Sequence, residues 1–368
     1  MKKSILLLTV FSLFFGIGTT NAQILNDAKT MSLIKENIDC IYDFQFNKAE
    51  ETYKKIQKSY PGHPVLNLLR GLQTYWQNYP IIAKTPAFKS FEKDMRECIQ
   101  LSEKNNNSSY EAEYILHILC AKGMLLKFYD DNHMTMDVIS LLTTSYSYYI
   151  DSFKLTNECA DLQYYTGVYD YYREAYPKAY PIYKALVFLF PRGDMKKGLK
   201  ELNFAAKNAV VLSAESYLIL NFIYTNFENN YITALKYSKL LHEIYSNNLS
   251  YQATYIKNLL FIKDYDVAEK LINASLKETK NNYFKSQLLI FKGILFEKKY
   301  HNNNLAKNYY NTGISRISSF GPYGNEYAAY AYFGLSRISN INNDNKTSKE
   351  YRNKALDMAI FENNNFDK

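Results

Sequence analysis

The sequence is poor in the residues that build compact reaction centres. Five His, four Cys and a single Trp are scattered through 368 residues. There is no His-Glu-x-x-His, no Cys-x-x-Cys, no Gly-x-Ser-x-Gly, no phosphate-cradling Gly loop and no dinucleotide fingerprint. Zinc-protease, thioredoxin-like, hydrolase, P-loop and Rossmann chemistry therefore have no motif to rest on. Cys40, Cys98, Cys120 and Cys159 lie far apart, each in a helical pattern. Buried free thiols are the simplest account, and a Cys98–Cys120 bridge is the alternative that an oxidising compartment allows.

Long apolar runs and concentrated charge are also scarce. Past the N-terminus no stretch approaches the roughly 20 apolar residues of a membrane helix, and the most apolar one, Ala185 to Phe190, stops at Pro191. The formal charge is +8, and it falls by two if Lys2 and Lys3 are removed. The remaining Lys and Arg are interleaved with Asp and Glu, so no basic stripe marks a nucleic-acid surface.

What the N-terminus does contain is a leader pattern. Lys2 and Lys3 precede an apolar run from Ile5 to Ile17, and small residues at Thr20 and Ala22 come before Gln23. Residues 1–22 are expected to be a signal peptide cut after Ala22, with no Cys at the cut to accept lipid. An exported protein, periplasmic or secreted, with no transmembrane segment after cleavage is the expectation.

Internal similarity sets the fold class. Asn230 to Leu241 and Asp264 to Ser275 align without a gap, and Ala234 to Ala268 is 34 residues. The figure recurs as Phe46 to Ile56, with Ala49 and Tyr53 followed by Pro61, Gly62 and Pro64. A small residue early in a second helix lets the first helix of a pair pack close against it. Pro61 and Gly62 end one helix and Pro64 suits the first turn of the next. These residues, with Arg70-Gly71-Leu72 in the following helix, resemble the tetratricopeptide-repeat family. Looser units centre on Ala87, Gly198, Ala306 and Ala355, with Gly123, Gly167, Gly293 and Gly334 as the small residues of first helices. The resemblance implies an all-α superhelix of antiparallel helix pairs with a long open concave face and an irregular helical insertion in the middle. It divides the chain into N-terminal pairs at 23–110, a divergent segment at 111–195, C-terminal repeats at 196–362 and a disordered tail at 363–368. Asn-rich breaks at 105–107, 229–230, 247–248, 281–282, 302–304 and 342–345 read as solvated turns.

The least generic stretch runs from Tyr164 to Leu199. Tyr165, Tyr169 and Tyr172 fall on one helical stripe, with Tyr176 and Tyr180 beyond them. Core packing accounts for such a stripe, and a sticky binding surface is the functional alternative, since Tyr offers a rigid ring with a polar tip. Asp194 before Met195-Lys196-Lys197 reads as a helix N-cap. The order of Gly167-x-Tyr169, a Pro-flanked segment, Gly193-Asp194 and Gly198-Leu199 resembles a tetratricopeptide subfamily that includes eukaryotic proteins implicated in clearing protein inclusions, which implies no catalytic residue.

His117 with Cys120, and the run Asp130-Asp131-Asn132-His133, gather donor atoms, but two ligands do not complete a metal site. An ordinary core His and a helix-ending loop are expected, with no metal, no cofactor and no catalytic set. The function expected is a scaffold for a protein or peptide partner in the cell envelope. A carbohydrate or small-molecule binder using the Tyr-rich stretch is one alternative, and an enzyme with a scattered site is another.

Overall fold

The computed structural model describes residues 23–105, 111–180, 184, 190–362 and 365–367. The leader expected at 1–22 and most of the apolar run before Pro191 lie outside them. Among the described residues the chain is helical and has no strand. In order it forms α1 (Ala28–Tyr42), α2 (Phe46–Ser59), α3 (Pro64–Gln77), α4 (Pro86–Asn105), α5 (Glu111–Asp131), α6 (Thr135–Ser152), α7 (Leu162–Ala179) and α8 (Met195–Asn208). There follow α9 (Ser213–Asn226), α10 (Tyr231–Ile244), α11 (Leu249–Phe261), α12 (Tyr265–Glu278), α13 (Asn282–Lys298), α14 (Asn303–Ile317), α15 (Asn325–Ile341) and α16 (Asn345–Met358). Each odd helix packs on the even helix after it, and the pairs stack in series as an all-α superhelix. The middle stretch is less regular: α5 is 21 residues long, and a multi-residue link joins α6 to α7.

The turn inside a pair has one backbone solution used repeatedly. Phe44, His133, Asn229, Lys263, His301 and Asn343 all have positive φ, and each stands two residues before an even helix. That left-handed residue reverses the chain in the fewest steps. Asn and Asp side chains then satisfy the free amides of the first turn. Asn230 accepts from Thr233 N, Asn248 from Ser250 N and Tyr251 N, Asp264 from Val267 N, Asn302 from Leu305 N and Asp344 from Thr347 N. Asp194 caps α8 through Lys196 N and Lys197 N. Gly62 has a φ of 78°, and Pro64 opens α3.

The small residues lie where helices cross. Ala49, Ala234, Ala268 and Ala306 are each the fourth residue of an even helix and fully buried, and Gly198 holds the same place in α8. Asn37 Nδ2 donates to Ala49 O at 2.6 Å and Asn221 Nδ2 to Ala234 O at 2.8 Å. Ser336 Oγ makes the same bond to Ser348 O at 2.8 Å. Such a buried bond fixes the register of a pair as well as holding it. At Gly167 and Gly198 the contact is backbone against backbone: a Cβ on Gly198 would stand 2.7 Å from both Gly167 O and Tyr171 N. Gly71 sits over Met95, and Tyr310 is held between Gly293 and Gly334. Tyr53 is buried under the Arg70 guanidinium, 4.0 Å from its ring centroid.

The superhelix does not leave an open inner face along its whole length. The first pairs meet later ones, and Tyr42 packs on Trp76, Tyr245 and Tyr251 at centroid distances of 5.6, 5.6 and 6.2 Å. Hydrogen bonds cross the same seam: Tyr245 to Asp39 at 2.8 Å, Asn248 Nδ2 to Tyr42 O at 2.8 Å, and Asn247 N to Asp43 at 3.0 Å. Farther along, Tyr79 packs against Tyr283 and Tyr323, and the Tyr323 hydroxyl donates to Ile81 O at 3.0 Å. The open concave surface expected from the repeat pattern is filled there by the chain's own aromatics, because burying those rings against one another removes more apolar surface from water than leaving them on a groove. The four Cys are free thiols, so Cys98 and Cys120 are not bridged.

Replacing Gly198 by Ala is expected to cost about 2–3 kcal/mol, since neither backbone can yield without shifting a helix. Gly123→Ala is the control: its added Cβ meets only Tyr165 Oη at 3.7 Å, so removal of a helix-interior Gly should stabilise by about 0.5–1 kcal/mol. Urea denaturation followed by circular dichroism measures both.

Candidate functional site: an aromatic groove

The five tyrosines singled out in the sequence do not share one surface. Tyr165 is buried, with its ring edge-on to Tyr149 at 5.5 Å and its hydroxyl near Cys120. Tyr169 is half-buried and donates to Pro191 O at 2.8 Å, tying the link before α8 to α7. Tyr172, Tyr176 and Tyr180 lie toward the C-terminal end of α7. Tyr172 packs edge-on to Phe227 at 5.2 Å, and Tyr176 packs on Tyr180 at 4.8 Å. Tyr165 is thus part of the core, while Tyr172, Tyr176 and Tyr180 belong to an aromatic array that other helices complete.

The rest of that array comes from α9, its C-cap and the segment after α16. Phe361 lies 5.7 Å from Phe222, 5.4 Å from Phe227 and 6.4 Å from Tyr180. A small cavity beneath it is lined by Asn226, Glu326, Ala329, Tyr330, Ala359 and Ile360 as well as Phe361. The segment continues to Phe366, which stacks on Phe261 at 4.3 Å and 8° and meets Tyr330 edge-on at 5.2 Å. Residues 363–368 were expected to be a disordered tail. Within the described part of it Phe366 is only 7% exposed, because a ring that finds two aromatic partners gains more than a free tail does.

Charge holds the end of the segment. Arg337 Nη1 donates to Asn365 O and to Asp367 Oδ1, both at 2.6 Å, while its Nε and Nη2 reach the two Glu297 oxygens at 2.5 and 2.9 Å. Tyr310 adds a hydroxyl donor to Glu297 at 2.6 Å. Burial pushes the Glu297 carboxyl up, but the bidentate Arg337 fork outweighs it and holds the group below the ordinary carboxylate range. Glu326, at the cavity wall, is likewise opposed by burial yet held low by Lys257, 3.1 Å away, and by the Tyr330 hydroxyl. Glu215 differs: burial raises its carboxyl even though the Tyr42 hydroxyl donates to it at 3.0 Å. These groups are already matched to partners, so the groove offers shaped apolar surface with fixed charges at its ends.

The other sequence candidates fall elsewhere. Asn132 ties loops together, donating to Tyr323 Oη at 3.2 Å and accepting from Ala83 N at 3.2 Å. His117 faces His63 and Glu113, with their ligand-capable atoms within 4.8 Å of one another. Phe222, Phe227, Phe261, Arg337 and Phe366 were not singled out, because they come from helix pairs other than that of the Tyr stripe or from a polar-looking end. No family model matches the chain, and no curated protein matches it.

Two substitutions separate the clamp from the anchor. Glu297→Gln removes one partner of a mostly buried ion pair and is expected to cost about 3 kcal/mol of global stability. Folding lowers the Glu297 pKa, so its contribution is complete above the unfolded value near 4.5 and is lost as pH falls through the lower folded value. Wild type should therefore lose melting temperature below about pH 4 more steeply than the variant. Phe366→Ala should release only the terminal segment, read as faster amide hydrogen exchange after Ala359 with little change in global melting.

Proposed function

We propose that this chain is a non-enzymatic, exported scaffold that captures a peptide segment of a protein partner in the aromatic groove between α7, α9 and α15. The observation that carries this reading is that the groove already seats parts of the chain itself, residues 359–362 and 365–367, through Phe361, Phe366 and the Arg337 clamp. Aromatic anchors in pockets with a charged contact at one end are how grooves on helical scaffolds acquire specificity. A partner suited to it carries two aromatic or large apolar side chains about five residues apart, followed by an acidic residue, as Phe361, Phe366 and Asp367 do. The resemblance to tetratricopeptide repeats supports a binding role, the leader pattern at 1–22 supports export, and the pairing of Glu215, Glu297 and Glu326 with fixed donors supports structural use of those carboxylates over acid–base work.

The test uses full-length chain carrying Phe361→Ala and Phe366→Ala, which leaves the groove walls intact. A labelled peptide of residues 359–368 should bind this variant in fluorescence anisotropy at least about tenfold more tightly than wild type, a difference of about 1.4 kcal/mol. Equal or absent binding in both, with circular dichroism showing both folded, refutes the reading. Affinity purification of the same variant from the native envelope should then enrich a partner that this peptide elutes.

A further inference from the structure

We propose that His63, Glu113 and His117 form a buried binding site for one divalent transition-metal ion, with zinc the best fit. His63 is the residue before α3, and Glu113 and His117 stand four apart on α5, hence on one face of that helix. All three are nearly enclosed, at 7%, 1% and 3% exposure. His63 Nε2 and Glu113 Oε1 face each other at 2.7 Å, His117 Nδ1 is buried with no hydrogen-bond partner, and one ligand-capable atom of each residue lies within 4.8 Å of the others. A buried polar atom left unpaired is costly, and an ion held between these three side chains would satisfy His117 Nδ1.

The donor set narrows the ion. Two imidazoles and a carboxylate suit zinc, and also cobalt or iron, whereas calcium and magnesium prefer all-oxygen shells. The second Glu113 oxygen accepts from Leu25 N at 3.0 Å, which orients the carboxylate as outer-shell bonds do in metal sites. Tyr60 and Tyr114 pack against His63 at 6.0 and 6.1 Å, and three protein donors leave the fourth tetrahedral position of a zinc ion to a water. Loading requires movement, because donors around zinc at about 2.1 Å sit about 3.3–3.4 Å apart, whereas His63 Nε2 and Glu113 Oε1 stand 2.7 Å apart and must separate. It also requires the His63 ring proton on Nδ1, which displaces the 3.2 Å bond that Nδ1 now accepts from Val65 N. The competing account is a metal-free pair in which His63 Nε2 faces Glu113 Oε1 at 2.7 Å.

The experiment is metal analysis of the untagged full-length chain, stripped with chelator and reloaded with one equivalent of zinc. One bound ion per chain after desalting, and a rise in melting midpoint of about 5 °C, are expected. Glu113→Gln and His117→Ala should each abolish both, while His301→Asn, at an exposed turn, keeps both. Less than half an equivalent in wild type, or zinc retained by either folded variant, overturns the site in favour of the metal-free pair. If neither variant folds, cobalt decides: visible ligand-field absorption that saturates at one equivalent in wild type supports the site, and a blank spectrum overturns it.

Discussion

Packing of Tyr42 against Trp76, Tyr245 and Tyr251 is the contact on which the remaining architecture depends. A stack of helix pairs ordinarily buries each unit only against its neighbours, so bending it costs little. Here residues some two hundred positions apart are tied by rings and by the bonds from Tyr245 to Asp39 and from Asn248 to Tyr42 O. Ring pairs of this kind contribute about 0.5–1.5 kcal/mol each beyond the area they bury. The coil is thereby held at one curvature, and that curvature determines which inner faces meet and which remain available. Tyr323, bonded to Ile81 O and packed on Tyr79, repeats the device nearer the C-terminus. Asp161 does similar work between α7 and α9, its carboxylate accepting from the amides of Val210, Val211 and Leu212. Burial still raises that carboxyl, which marks how much desolvation the three amides have to offset.

Much of this was legible in residue spacing, and the reason is local. Ala234 and Ala268 announce themselves because a close crossing admits only a small side chain, so geometry leaves a residue-type signature. The left-handed turn residue leaves almost none. Asn229 and Asn343 carry a recognisable preference, but Phe44, His133, Lys263 and His301 occupy the same conformation with no common chemistry. Their shared property is position, two residues before an even helix, and that becomes visible only once the helix boundaries are known. The site was harder still. Tyr172, Tyr176 and Tyr180 were legible as aromatic, yet nothing in the sequence says that α7 meets Phe222, Phe227 and Phe361, because the meeting depends on curvature accumulated over several pairs. The Asn run at 363–365 suggested a free end and concealed Phe366 and Asp367, whose role comes from Phe261 and Arg337 far up the chain.

The same distinction separates the two clusters of candidate chemistry. Glu113 and His117 share a helical face by simple periodicity, so part of that cluster can be read from α5 alone. His63 reaches them because Gly62, at positive φ, turns the chain and Pro64 starts α3 immediately, leaving the imidazole over the α5 face. The three donors are therefore placed by the first repeat's helix-ending signature, a feature whose evident purpose is structural. The aromatic groove has no such local origin and exists only because the superhelix closes.

Magnitudes decide how firmly the terminal segment holds that groove. Ordering the described residues 359–362 and 365–367 costs about 1 kcal/mol each or somewhat more, so about 7–10 kcal/mol opposes docking. Burial of Phe366 returns about 2–3 kcal/mol, the half-buried Phe361 about 1–2, the Arg337 contacts about 2–3 and Ala359 about 1 more. The two sides come within a few kcal/mol, so the segment lies close to balance between docked and free. The Tyr42 seam stands in no such balance, since its residues belong to helices already ordered by their own pairs and the rings add stabilisation without a fresh entropic cost. On the proposed reading, a competitor with comparable anchors displaces the segment while the seam leaves the coil and the groove's shape intact.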